Sequence, residues 1–223
     1  MSVSLQDFQR KDLIKKLVES GIKDKRVLDA MNTVRRELFV SPELRRFAYE
    51  NNALPIGSSQ TISQPYTVAF MTEILKVEPG DKILEIGTGS GYQAAVLCEL
   101  GAEVFSVERI EQLYNDAGII LKKANYKVKL KCSDGTKGWK EHSPYDGIIV
   151  TAGSPGIPET LLKQLGDGGR LVIPVGDRST QEIWCITKSK DKEGKETYAT
   201  EKYQYFKFVP LIGEEGWENA NGR

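Results

Sequence analysis

The chain has 223 residues, with 31 basic and 31 acidic side chains and no net charge, so nothing draws it electrostatically to nucleic acid or an anionic membrane. Three scattered cysteines without a Cys-x-x-Cys pair argue against a disulfide framework or a zinc site, and a single histidine (His142) excludes a histidine-built metal site. No apolar run approaches the ~20 residues of a bilayer span, and residues 1–7 lack signal-peptide order. The expectation is a cytoplasmic monomer with no metal, no nucleic acid and no membrane partner. The length fits one domain, 1–223, divided into a helical N-terminal cap (1–78), an α/β core (79–213) and a polar tail (214–223).

In chain order, apolar residues at helical spacing predict helices over 5–20, ending at Gly21, and over 24–35. Ser41-Pro42-Glu43 reads as a cap followed by proline at the first helical position, opening a short helix to about Tyr49. Residues 51–59 read as loop. Ser63-Gln64-Pro65 repeats the cap-then-proline signal and predicts a helix running to Leu75. From Lys82 the pattern alternates. Strands are expected at 82–86, 103–107, 128–132, 145–150 and 169–175, with helices at 92–100, 111–124 and 158–165. That order predicts an α/β fold with a doubly wound, mostly parallel, Rossmann-like sheet behind N-terminal helices. Two strand-like runs, 181–188 and 197–209, flank a charged turn and predict a C-terminal β-hairpin closing one edge. Cys132 is expected to be buried in its strand, His142 to lie on a surface loop, and the chain after Gly213 to be loose.

Residues 83–91, Ile-Leu-Glu-Ile-Gly-Thr-Gly-Ser-Gly, carry the first functional signal. A strand runs into a loop containing Gly87, Thr88, Gly89, Ser90 and Gly91, which opens a helix. Glycines there let the backbone turn and let a ligand approach bare main chain, and the helix start offers unpaired N–H groups. Glu108, 21 residues after Gly87, ends the second strand, where a carboxylate can accept both hydroxyls of a ribose. These features fit NAD and S-adenosylmethionine about equally. Three details favour S-adenosyl-L-methionine. The glycines follow G-x-G-x-G rather than the pyrophosphate fingerprint. Glu85 suits the cationic amino group of a methionine moiety. Asp134-Gly135 lies where it could meet an adenine amine, although a plain turn accounts for it as well.

Further segments occur in a fixed order: Leu54-Pro-Ile-Gly, Gln60-Thr-Ile-Ser-Gln-Pro, Leu84-Glu-Ile-Gly-Thr-Gly-Ser-Gly-Tyr-Gln, Ser106-Val-Glu-Arg-Ile, Asp134-Gly-Thr, Tyr145-Asp-Gly-Ile-Ile-Val-Thr-Ala, Arg170-Leu-Val-Ile-Pro-Val-Gly and Phe208-Val-Pro-Leu. Over almost its whole length the chain thereby resembles the protein-L-isoaspartate (D-aspartate) O-methyltransferases. The glycine loop is shared by many methyltransferases; the 60–65 and 208–211 segments are the diagnostic ones. The resemblance implies transfer of the sulfonium methyl to the abnormal α-carboxylate of isoaspartyl residues in damaged proteins, after which the ester collapses to a succinimide. It implies Ser63 as the active-site serine, Gln60, Thr61 and Ile62 bordering cofactor and substrate, and Val209 in a segment offering main-chain groups to the bound peptide. It also implies isoaspartyl proteins and peptides as partners.

The chemistry agrees independently. A carboxylate acceptor with an unperturbed pKa of ~4 is already ionised at neutral pH, so no general base is required. A hydroxyl such as Ser63 can orient one oxygen without taking a proton; read locally, the same serine is a helix cap before Pro65. A methyltransferase acting on another carboxylate or on nucleic acid is the nearest rival. The amino-methyltransferases of nucleic acids usually carry an Asn/Asp-Pro-Pro-aromatic motif after the fourth strand, where this chain reads Thr151-Ala-Gly-Ser. An NAD oxidoreductase is disfavoured by the glycine spacing, and a non-enzymatic binding module by the intact 60–65 segment.

Overall fold

A computed structural model describes residues 5–218. Helices α1 (Leu5–Glu19) and α2 (Lys25–Thr33) open the chain, followed by two short 3-10 turns at Arg36–Phe39 and Pro42–Phe47. Asp24 caps α2 by accepting from Arg26 N–H, and its own N–H donates to Glu73. The 51–59 segment, expected to be loop, contains strand β1 (Leu54–Gly57), which pairs antiparallel with β2 (Gln60–Ile62). Ser58 and Ser59 turn this hairpin with φ of 48° and 56°, left-handed conformations that follow directly on Gly57 at φ of 96°.

Helix α3 (Pro65–Leu75) starts two residues later than Ser63. Neither Ser63 nor Gln64 caps it through a side chain. Asn51 reaches across instead, accepting from Tyr66 N–H at 2.8 Å. Proline at the first helical position marked the start correctly, while the capping oxygen comes from 15 residues upstream.

The α/β alternation follows the expected order: β3 (Lys82–Ile86), α4 (Tyr92–Glu99), β4 (Glu103–Glu108), α5 (Glu111–Lys123), β5 (Val128–Cys132), β6 (Tyr145–Val150), α6 (Glu159–Gln164) and β7 (Leu165–Gly176). Strand β7 begins four residues earlier than the pattern suggested, because Leu165 already pairs with Tyr145. The hairpin is β8 (Gln181–Lys190) and β9 (Glu196–Phe206). The seven strands run in the order β5-β4-β3-β6-β7-β8-β9, parallel up to β7 and antiparallel beyond it. The strand order reverses between β3 and β6, and their carboxyl ends define the switch point of such a sheet.

Alternate residues of the central strands feed two cores. Ile83, Val104 and Ile149 pack with α3, α4 and the N-terminal helices, while Leu84, Phe105 and Ile148 pack on the opposite face with Leu161 of α6. Burial on both faces is why β3 and β6 read as nearly continuous apolar runs. Three expectations need correction. Cys132 is exposed, since β5 is an edge strand. His142 is half-buried, with its ring 4.5 Å from that of Phe105 and 4.9 Å from that of Trp139. Residues 214–218 are not loose: Glu214 N–H donates to Asp134, Glu215 accepts from Thr160 N–H, and Trp217 Nε1 donates to Gly153 O. Residues 219–223 of the expected tail lie outside the described residues. Among the described residues no helix is long and apolar enough to cross a membrane, and no cluster of His, Cys, Asp and Glu could hold a metal ion.

Candidate active site

A cleft of about 890 Å3, open mouth included, lies over the carboxyl ends of β3, β4 and β6. The glycine loop forms its floor. Gly87, Gly89 and Gly91 adopt φ of 95°, 53° and 87°, where side chains are strained. At Gly87 space is also closed: a Cβ would fall on the Thr151 hydroxyl, which donates to Gly87 O at 2.7 Å. Gly87, Thr88, Gly89 and Ser90 line the cleft. Gly91 does not; it stands at the start of α4, with the Leu121 side chain 3.1 Å from where its Cβ would be.

Two carboxylates face this floor in different states. Glu85 is completely buried; one of its oxygens accepts from Ser106 Oγ, which also bonds Thr88 Oγ1 at 2.6 Å. Its Oε1 is buried without a hydrogen-bond partner among the described residues. Burial pushes this carboxyl up to about 8, against the opposing hydrogen bond from Ser106, and nearby Glu108 adds to the rise. A buried oxygen with no donor costs free energy until one arrives, and an ammonium group is the donor that would also restore the charge. Glu108 is served already: Gly89 N–H and Ile110 N–H donate to its two oxygens at 2.9 Å each. Those bonds fix the plane of the carboxylate at the edge of the cleft, with lone pairs left for a diol.

Residues before and after the α/β core form the opposite walls. Gln60, Thr61, Ile62 and Ser63 line one side, and the 208–212 stretch lines the other. A second groove of about 930 Å3, open solvent included, adjoins the first and shares Thr61, Ser63, Thr67, Thr151, Phe208 and Val209 with it. Ser63 is half-buried at that junction, and its hydroxyl bonds no described residue. Val209 O accepts from Gly153 N–H, while its own N–H has no partner among the described residues.

Asp134 departs from the expectation. Gly135 lines the cleft, but the Asp134 carboxylate accepts from Thr136 N–H and Oγ1 and from Glu214 N–H, tying its own loop to the C-terminal segment. Sequence reasoning missed Thr151, Gln93, Arg109 and the 210–212 stretch as wall residues. Thr151 had a signal, because the end of β6 adjoins the switch point; Gln93, Arg109, Pro210 and Leu211 lay within the singled-out segments but had no role assigned, and Ile212 had no signal.

A mostly parallel sheet with a glycine loop and two acids, Glu85 and Glu108, in the cleft over its switch point fits one class: an S-adenosylmethionine-dependent methyltransferase. Comparison with known proteins narrows this. The sequence model of protein-L-isoaspartate(D-aspartate) O-methyltransferase (PCMT) matches residues 8–216. A protein-L-isoaspartate O-methyltransferase of Chlorobaculum tepidum is 49% identical over 96% of this chain and 98% of its own, and one of Dictyoglomus turgidum is 51% identical over 95% and 94%. A solved protein-L-isoaspartate O-methyltransferase superposes with a TM-score of 0.80 at 29% identity, covering 93% of this chain and 67% of that one. A Plasmodium falciparum protein described as a beta-aspartate methyltransferase (PCMT), in complex with S-adenosyl-L-homocysteine, shares the fold with a TM-score of 0.76 at 24% identity, over 91% and 98% of the two chains. The chain belongs to the protein-L-isoaspartate O-methyltransferase family.

Proposed function

We propose that this enzyme methylates the α-carboxylate of L-isoaspartyl residues, at the junction of the cleft and the groove, with the roles divided as follows. S-adenosyl-L-methionine supplies the methyl as a sulfonium. Glu85 takes its ammonium group, Glu108 its ribose hydroxyls, and the 87–90 main chain and Gly135 border the rest; Gln60, Thr61 and Ile62 close the near side. The peptide lies in the second groove, with Val209 N–H as a main-chain donor. Ser63 donates its hydroxyl to one oxygen of the substrate carboxylate and aims the other at the methyl. No residue removes a proton, because the acceptor is already a carboxylate; catalysis rests on alignment and exclusion of water. Asp134 serves the C-terminal segment rather than adenine. The observation that carries this reading is the position of Ser63, common to both cavities and bonded to neither wall. One domain, with residues 1–78 as a cap on the core, acts as a cytoplasmic monomer with no nucleic-acid or membrane partner.

The test is transfer of labelled methyl from S-adenosylmethionine to an isoaspartyl peptide and to its aspartyl twin. Transfer to the first alone is expected; equal transfer to both, or to neither, sinks the assignment. Ser63→Ala should lower kcat roughly 100-fold, the scale of a misaligned attack, with the affinity for S-adenosylhomocysteine unchanged. Loss of that affinity instead would mean that Ser63 belongs to the cofactor.

A further inference from the structure

Arg36 is completely buried directly behind Ser63. Its Nε donates to Ala48 O and its Nη2 to Ser63 O, both at 2.9 Å. The guanidinium carbon lies 4.8 Å from the centroid of the Tyr92 ring, and Tyr92 itself lines the cleft. Nη1 is buried with no hydrogen-bond partner of good geometry; the Tyr92 hydroxyl lies near enough to favour the cation, but no carboxylate lies within ion-pair distance of the group among the described residues. The adjacent carboxylate, Glu37, is turned away and satisfied by Arg35 Nε and the Tyr49 hydroxyl. Buried charges are ordinarily paired. This one is left without its counter-ion one residue from where a carboxylate has to bind.

We infer that Arg36 is a positioning residue for the substrate: it fixes the Ser63 main chain and supplies the uncompensated positive potential that draws a carboxylate, rather than a neutral group, to the Ser63 hydroxyl. The inference rests on the carboxylate acceptor proposed above. Burial lowers the guanidinium to about 10, so it stays cationic at neutral pH. The reaction has a direction in this field. The carboxylate oxygen forms the O–CH3 bond, the S–CH3 bond breaks with its electron pair going to sulfur, and an anion and a cation become a neutral ester and a neutral thioether. A cation beside the carboxylate therefore favours the bound substrate over the ester and assists product release, and its mark falls on KM more than on kcat. Tyr92 opens α4 directly after the glycine loop, so one guanidinium joins the N-terminal cap, the serine segment and the cofactor floor.

The experiment compares two peptides differing only in the α-group of the isoaspartyl unit, free carboxylate or its uncharged amide, by titration into enzyme saturated with S-adenosylhomocysteine. Wild type is expected to prefer the carboxylate on the order of tenfold, a buried charge acting at short range. Arg36→Met should erase that preference while leaving the amide peptide and S-adenosylhomocysteine bound as before, and Arg36→Lys should retain most of it. In turnover, Arg36→Met should raise KM for the isoaspartyl peptide about tenfold with a smaller change in kcat. Equal weakening of both peptides by a folded Arg36→Met protein would mean a merely structural arginine, with the substrate assignment intact. Failure of wild type to bind either peptide would remove the substrate assignment and this inference with it. Should Arg36→Met fail to fold, wild type alone decides. The preference must survive 0.5 M salt, which screens exposed lysines such as Lys207 of the groove but not a buried cation; collapse in salt overturns the inference.

Discussion

Glu85 shows what a residue-level reading of this site yields. The sequence placed an acid between apolar residues of a strand, and the structure adds that one of its oxygens accepts from Ser106 while Oε1 is buried with no partner among the described residues. With its carboxyl raised to about 8 from an ordinary 4.5, the cofactor-free protein holds Glu85 protonated at neutral pH. The sign follows: a raised acid contributes stability fully below about 4.5 and loses it as pH climbs through 8. An arriving ammonium reverses the preference by favouring the carboxylate. Binding of S-adenosylmethionine at pH 7 should thus release a proton, approaching one per site, and affinity should rise with pH between 6 and 8. Calorimetry in buffers of different ionisation enthalpy reads the proton directly, and Glu85→Gln should release none. A wild-type enzyme releasing no proton would show that Glu85 does not meet the ammonium. The sequence marked Glu85 and Glu108 by their places near the carboxyl ends of two central strands, and both line the cleft. Arg36 was not, because Val-Arg-Arg-Glu-Leu-Phe reads as a solvated charged run until a 3-10 turn buries one arginine and exposes the other.

At the scale of elements, period and punctuation revealed the sheet, while contacts between distant segments set its details. Alternating apolar runs and helices identified β3 to β7 and the hairpin to within a few residues; the central strands bury their apolar runs, while β5 and β9 at the two edges bury little. The β1–β2 hairpin escaped, since it is seven residues turned by two serines in a conformation normally given to glycine. The Ser63 cap escaped for the complementary reason that Asn51, from another segment, supplies the oxygen. That substitution leaves the Ser63 hydroxyl without a bond to any described residue. The glycine loop makes an element-level prediction. Gly87→Ala adds a methyl where the Thr151 hydroxyl stands and forces alanine to φ of 95°, a backbone strain on the order of 1–3 kcal/mol before any clash. The variant should melt several degrees lower and bind S-adenosylhomocysteine at least tenfold more weakly. Thr151→Ala in the same chain removes the atom that collides and should restore part of the loss. No restoration would place the whole cost in the backbone.

Across the whole molecule the chain is closed by its end. The 210–218 strap ties down two loops and the start of α6: Trp217 Nε1 and Leu211 N–H donate to Gly153 O after β6, Glu214 N–H donates to Asp134 after β5, and Thr160 N–H of α6 donates to Glu215. Arg178 stacks 4.9 Å from the Trp217 ring, tying the strap to the turn before β8. Leu211 and Ile212, carried by this strap, wall the cleft. Nothing in Gly-Glu-Glu-Gly-Trp-Glu has a period, and its partners lie between 40 and 80 positions away, so a polar tail was all the sequence could suggest. The contact with Asp134 is tight on both sides: a Cβ on Gly213 would run into the Asp134 carboxylate. If the strap retains the cofactor, loosening it from either side should have one effect. Asp134→Ala removes a charged acceptor worth roughly 1.5–3 kcal/mol, and Gly213→Ala wedges the same contact open. Both should speed dissociation of S-adenosylhomocysteine by about tenfold or more in stopped flow, with little change in the association rate and in the affinity of the peptide. A folded Asp134→Ala enzyme that releases the nucleoside at the wild-type rate would confine Asp134 to its own turn and leave retention to the glycine loop.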